Sequence, residues 1–224
     1  MPTNRKLVFA NDEIYHVFNR GVEKRPIFTD KREYKRALLA LDFYRFTSPP
    51  VKLSKFLIIP KDQQEKFLEN IKKEFEKLVE IICYCLMPNH FHFLLKQKMD
   101  NGISTFISNL TNSYTRYFNT KHERIGPLLE GIFKAVRIES EEQLMHTSRY
   151  IHLNPVSSFL IEPEELDNYE WSSYPEFLGH SDKNFVTKDL ILNFFPSIAA
   201  YKKFVLDQVD YARQLELIKH LTLE

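Results

Sequence analysis

The chain has 224 residues, 43% of them apolar and 27% charged, and its 31 Lys+Arg against 30 Asp+Glu leave a formal charge of +1. At roughly 150 residues per domain this is one large domain or one domain with an appendage, and a composition so close to the globular average excludes disordered, collagenous and coiled-coil chains. Balanced charge neither demands nor excludes nucleic acid, because a basic patch on one face is hidden in the total. No apolar run approaches the ~20 residues of a membrane span, and the start, MPTNRKLVF, lacks a long apolar stretch before a small-residue cleavage site. The expectation is a soluble, cytoplasmic protein.

Glu13 to Arg20 (EIYHVFNR) alternates, is rich in aromatic and β-branched residues, and is closed by Gly21, which predicts a strand. A helix follows, capped by Thr29 or Asp30, with Tyr34, Ala37, Leu38, Leu41 and Phe46 at helical spacing. After Pro49-Pro50 a highly charged helix from about Lys61 to Leu78 reads as an insertion, about residues 50–78, between core elements. Val79 to Met87 and His90 to Lys96 are strand-like runs on either side of Pro88-Asn89, which predicts a hairpin. Cys83 and Cys85 are assigned to opposite faces of the first run, which would keep them from pairing. A long amphipathic helix from about Ile103 to Asn119, a basic loop (KHERIG) and a strand within Gly131 to Ile138 come next. Ser140 then opens a capping box with Gln143, and Pro155 is expected to stop the helix.

The order β-α-(α)-β-β-α-β-α is the split βαβ pattern, so the fold class is α+β: a ferredoxin-like antiparallel sheet with one more helix after the last core strand. Residues 1–156 make this unit. Residues 157–224, turn-rich and then helical around Thr187 to Phe195 and Ile198 to Leu217, read as a C-terminal helical appendage packed on it and accessory to any chemistry. Its Trp171, Tyr174, Phe194 and Phe195 are expected to cover apolar core.

Chemistry concentrates in two runs. In Pro88-Asn89-His90-Phe91-His92-Phe93 the strand period of two puts His90 and His92 on one face, with Phe91, Phe93 and Leu95 on the other. Adjacent neutral imidazoles form one edge of a metal site, although a bare His-x-His is more often a solvent-facing pair. In Tyr150-Ile151-His152-Leu153-Asn154-Pro155-Val156, Tyr150 and Asn154 fall within about 40° of each other on a polar helix face with Gln143, His146 and Thr147. A half-buried Tyr and a helix-terminal Asn before proline are the bland alternatives.

Together, Asn19-Arg20-Gly21, Met87-Pro88-Asn89 before His90-Phe91-His92, and the Tyr150 to Val156 run resemble the single-tyrosine HUH transposases (His, hydrophobic, His), especially the REP-associated tyrosine transposase branch. The resemblance covers about Tyr15 to Val156, and extends less firmly through Trp171-Ser172-Ser173-Tyr174. It implies metal-dependent cleavage and rejoining of single-stranded DNA at hairpin-forming sequences. His90 and His92 would hold a divalent Mg²⁺ or Mn²⁺ and Asn154 would be a third ligand, although relatives more often carry Gln there. Tyr150 would be the nucleophile, giving a 5′-phosphotyrosine link and a free 3′-hydroxyl.

The residue types suit that chemistry. A phenol needs help from a neighbouring cation or base to act as a nucleophile near neutral pH, and a metal can neutralise the attacked phosphate as a Lewis acid. Tyr117, at the edge of the Ile103 to Asn119 helix, competes for the nucleophile role, whereas Tyr114 continues an apolar stripe. A zinc site of Cys83 and Cys85 with the histidines is a further alternative. Candidate DNA contacts are Arg20, Lys24, Arg25, Arg116, Lys121, Arg124, Lys134, Arg137 and Arg149, which flank the site while acidic residues gather in Glu65 to Glu80, Glu139 to Glu142 and Glu162 to Glu170. A non-cleaving binder of DNA or RNA hairpins on the same fold, and a replication-initiator-like or relaxase-like nickase, are the other readings. A monomer is favoured over a homodimer.

Overall fold

Strands β1 (Ile14–Arg20), β2 (Val79–Met87), β3 (His90–Gln97) and β4 (Lys134–Arg137) pair in one antiparallel sheet in the order β2-β3-β1-β4. This structure, a computed structural model, describes residues 7–47, 49–181 and 183–221, the last four without their side chains. The first six residues, part of the stretch MPTNRKLVF, lie outside it. Helix α1 (Lys31–Tyr44) follows β1. Next come α2 (Leu53–Phe56) and α3 (Lys61–Glu74); α4 (Gly102–Lys121) joins β3 to β4, and α5 (Glu141–Ser157) follows β4. The sequence order of the split βαβ unit is therefore the observed one, and the α+β class holds.

The sheet is covered on both faces. On one, Tyr15 and Val17 of β1 and Phe91, Phe93 and Leu95 of β3 share a core with Ala37 and Leu41 of α1 and with Phe106, Leu110 and Tyr114 of α4. On the other, Ile82, Cys83, Cys85, Met87 and Leu94 pack against Leu144, Ile151 and Leu153 of α5 and against Tyr174, Phe177 and Tyr201 from the chain beyond it. Two-sided burial explains why β2 reads as a nearly continuous apolar run. Cys83 and Cys85 stand on the same face, not on opposite ones, since a period of two puts residues i and i+2 together. Both are nonetheless free and buried. The charged insertion is tied to the first core, with Leu53, Phe56 and Ile71 buried in it. Its helix stops at Glu74, and Phe75 turns extended ahead of β2, which begins at Val79.

Caps place the helix starts. Asp30 accepts from the backbone N–H of Arg32 and Glu33 at the start of α1, and Ser140 accepts from the N–H of Gln143 at the start of α5. Pro155 does not stop α5: the helix runs on to Ser157, forfeiting only the bond that the missing N–H would have made. It ends instead in a Schellman turn, with Phe159 N–H bonded to the Val156 carbonyl at 3.1 Å and Leu160 N–H to the Pro155 carbonyl at 2.9 Å. The left-handed position of that turn, usually glycine, is Phe159 at φ +57°. A side chain there costs on the order of 1 kcal/mol.

Beyond α5 lie α6 (Tyr174–Phe177), α7 (Asp189–Leu192), α8 (Ile198–Leu206) and α9 (Val209–Leu221). The helical pattern of Thr187 to Phe195 is thus shortened to α7, and that of Ile198 to Leu217 is interrupted at Asp207-Gln208. The segment around Trp171 to Ser173 lies along the outer edge of β2: Leu86 N–H bonds the Trp171 carbonyl and Ser173 N–H the Tyr84 carbonyl. This covers a sheet edge that would otherwise be an open template. His152 of α5, fully buried, is the cross-tie, its Nδ1 2.7 Å from the Tyr201 hydroxyl and its Nε2 2.8 Å from Ser173 Oγ. Burial lowers its pKa to about 3, so it is neutral and one ring nitrogen donates while the other accepts.

Candidate active site

Strand parity brings His90 and His92 of β3 to the α5 side of the sheet, opposite Arg20 and Phe18 of β1 in the register. Their ring centroids are 5.0 Å apart. Helix α5 crosses this face and carries Tyr150, whose ring stands edge-on to His92 with centroids 5.4 Å apart. One turn on, Asn154 Oδ1 lies 3.1 Å from His90 Nε2. The two runs singled out in the sequence therefore meet in space, and Tyr150 stays 43% exposed, accessible to a ligand.

A residue that sequence reasoning missed completes the group. His16 of β1 has its Nε2 2.9 Å from His92 Nδ1, and its ring is also edge-on to Tyr150, with centroids 5.9 Å apart. Burial lowers its pKa to about 4, so it is neutral at ordinary pH. A neutral His16 that engages Nδ1 of His92 fixes that ring's orientation, the office of an outer-layer partner.

The protons at His90 follow from its neighbours. Asn89 donates from Nδ2 to the Lys24 carbonyl, which turns its Oδ1 to His90 Nδ1 at 2.6 Å. His90 Nδ1 must then carry the hydrogen, and burial lowers the pKa of this imidazole. Its Nε2 lone pair faces the lone pairs of Asn154 Oδ1. Two acceptors in contact are satisfied by a cation, or by turning the amide so that its N–H₂ donates. Their 3.1 Å separation also suits neighbouring ligands of a six-coordinate Mg²⁺, roughly 3 Å apart for bonds of about 2.1 Å. Among the described residues no group of three or more His, Cys, Asp and Glu is placed to hold a metal; the set here is imidazole and amide. Burial holds the Cys83 and Cys85 thiols above the ordinary thiol range, hence protonated and poor zinc ligands.

A cavity of about 870 Å³ opens over the site, lined by His90, His92, Arg20, Lys24, Lys134 and Phe18. Ser158, Phe159, Leu160 and Glu216 form another part of its wall. The region past Val156, expected to be accessory, thus shapes the site. Of the basic candidates, Arg20, Lys24 and Lys134 face this cavity, although Arg20 Nε is bonded to Glu130 at 2.6 Å. Arg25 is held by Glu23, and Arg137, on the other parity of β4, by Glu13. Arg149 lies over the Phe204 ring at 4.3 Å and bonds His146. Arg116 and Lys121 line a separate cavity beside α1 and α4, across the sheet, and Arg124 packs on Phe118 of α4. Tyr117 lies in that second cavity, with Arg36 5.4 Å from its ring centroid, remote from the histidines. Tyr114 is core, its hydroxyl donating to the Ile27 carbonyl.

A split βαβ sheet with a His-Phe-His strand under a tyrosine-bearing helix is the arrangement that the resemblance to the HUH transposases leads one to expect. The family model described as "Transposase IS200 like" matches residues 55–154, a stretch that includes His90, His92, Tyr150 and Asn154 and leaves His16 outside. That stretch is similar to the IS200-like transposases, the family that the motifs resemble. No curated protein gives a significant sequence match. The solved structure of a REP-associated tyrosine transposase bound to a REP hairpin shares the fold, with TM-score 0.52 over 83% of this chain and 97% of that one at 12% identity. Among the described residues no helix is long and apolar enough to cross a membrane.

Proposed function

We propose that this protein cuts and rejoins single-stranded DNA at hairpin-forming sequences through a covalent link to Tyr150. The observation that carries the reading is the meeting of Tyr150 and Asn154 with His92 and His90, one pair by ring contact and the other at 3.1 Å. The Tyr150 oxygen attacks a backbone phosphorus, a tyrosine O–P bond forms, the P–O3′ bond breaks, and the departing 3′ oxygen takes a proton. The 5′ end stays on the enzyme. Attack of the free 3′-hydroxyl of another strand on the phosphotyrosine reverses these bonds, rejoins DNA and restores the phenol.

His90, His92 and Asn154 would hold a divalent Mg²⁺ or Mn²⁺. When bound, that ion neutralises phosphate charge and stabilises the transition state as a Lewis acid. His16 orients His92, Asn89 orients His90, and Arg20, Lys24 and Lys134 attract the backbone on either side of the scissile phosphate. The structural neighbour's REP hairpin supports a hairpin substrate.

Labelled hairpin oligonucleotides incubated with Mn²⁺ and resolved on denaturing gels provide the test. Wild type should give a protein–DNA adduct and Tyr150→Phe, which removes one oxygen from a half-exposed ring, should give none while keeping fold and DNA affinity. An adduct that persists in Tyr150→Phe sinks the assignment.

A further inference from the structure

Phe159 is an anomaly that the fold alone does not require. It occupies the left-handed position of the Schellman turn that ends α5, at φ +57°, where glycine is free of side-chain strain and a bulky aromatic is not. About half of the residue, 51%, is exposed. Yet it is held in place. The Arg213 guanidinium sits 5.1 Å from the ring centroid, anchored in turn by Nε to the Val156 carbonyl at 3.3 Å and by Nη2 to Glu162 at 2.8 Å. The ring therefore combines a strained backbone, a fixed position and an accessible surface.

Its surroundings say what it meets. Phe159 lines the same cavity as His90, His92, Arg20, Lys24 and Lys134. It stands in the turn just past the end of α5, five residues after Asn154, on the wall of the cavity that His90 and His92 also line, so a nucleotide adjoining a phosphate at His90 lies on its side. Cations along a backbone track with an aromatic at its side are the pairing by which proteins hold unpaired nucleotides: every base has a π face, so stacking needs no particular sequence. A base within a duplex presents only an edge and could not lie on this ring.

We propose that Phe159 is the platform of a base-stacking subsite, which takes an unpaired nucleobase next to the phosphate bound at His90 and His92. The proposal rests on the single-strand-cleaving reading above, and extends it to a contact that sets the position of the strand.

The test measures binding of a dye-labelled single-stranded oligonucleotide by fluorescence anisotropy, with EDTA present so that no cutting occurs, for wild type, Phe159→Gly and Phe159→Trp. Glycine relieves the backbone, so its melting temperature should equal or exceed that of wild type while affinity falls roughly 5- to 100-fold. Tryptophan should stay within about twofold of wild type, since it stacks at least as well. A single abasic site at one position of the oligonucleotide should weaken wild type by the same factor as the glycine change, and weaken Phe159→Gly no further. Equal binding by wild type and Phe159→Gly overturns the subsite and leaves the cleavage reading standing. A drop of melting temperature in Phe159→Gly beyond about 5 °C overturns it as well, assigning the ring to packing. Failure of wild type to bind single strands at all overturns both.

Discussion

Replacing His152 by alanine should cost about 3–5 kcal/mol of folding stability, although the residue touches no substrate in this reading. Its imidazole is fully buried between α5, Ser173 and Tyr201, with contacts of 2.7 and 2.8 Å at its two nitrogens. Truncation takes those partners from the Tyr201 hydroxyl and from Ser173 Oγ, at about 1–3 kcal/mol for the two together, since Tyr201 keeps Ser148 and Ser173 keeps the Tyr84 N–H. The emptied ring space adds about 2 kcal/mol. Against a total of about 5–15 kcal/mol the loss is large enough to unfold a marginal protein. Urea melts can follow it by fluorescence, because the single tryptophan, Trp171, lies two residues from Ser173 and stacks on Tyr34 at 4.6 Å. Tyr201→Phe should cost about 1 kcal/mol, and the double variant should show a coupling near 1 kcal/mol with His152→Ala. A loss below about 1 kcal/mol for His152→Ala, or strict additivity with Tyr201→Phe, would refute the cross-tie.

Calorimetric titration of Mn²⁺ should detect a site in wild type that is absent in His90→Ala and at least tenfold weaker in Asn154→Ala; unchanged binding in both removes the metal from this site. Glu176, buried beside Tyr84, Lys183, Lys188 and Arg45, has its pKa raised to about 7 by burial. Its folded form holds a proton that the unfolded chain, titrating near 4.5, has lost, so its ionisation costs stability as pH rises through 7. Melts between pH 5 and 8 should show Glu176→Gln less pH-dependent than wild type by about 2 kcal/mol, and parallel curves would contradict this. Lys134→Ala should lower single-strand affinity and flatten its salt dependence by about one charge, whereas Arg137→Ala, whose side chain is tied to Glu13 on the other parity of β4, should do neither. Equal effects of the two would show that strand parity does not decide which cations meet DNA.

What was legible in the sequence was what depends on local periodicity. A strand period of two puts His90 and His92 together, and a helical period of 3.6 places Asn154 one turn from Tyr150. Strand order follows from the succession of elements. His16 was not legible, because a lone histidine in EIYHVFNR acquires meaning only when β1 is set against β3, and its diagonal neighbour His92 is 76 residues away. Pro155 misled because the rule for proline concerns the turn before it, while the Schellman closure after Val156 decides where this helix ends. Nor does charge reveal its own surroundings: the parity of β4 already separates Lys134 from Arg137, but nothing local puts Arg116 and Lys121 in a cavity across the sheet. The sharing of one core by α5 and the chain after it rests on contacts such as His152 to Tyr201 that no window of sequence contains.

The His152 tie also has a bearing on how the protein is made. The histidines, the tyrosine-bearing helix and the cavity wall come from positions as far apart as His16 and Glu216, and the helix that carries Tyr150 is clasped by Tyr201 from α8. During synthesis, a nascent chain whose α8 is still inside the ribosome lacks the clasp on α5, even when His90, His92 and Tyr150 have all emerged. A chain cut short by a premature stop before Tyr201 is in the same condition. Assembly of the site is thereby made contingent on a chain that extends past Tyr201, so that fragments able to fold the sheet do not inherit an assembled site.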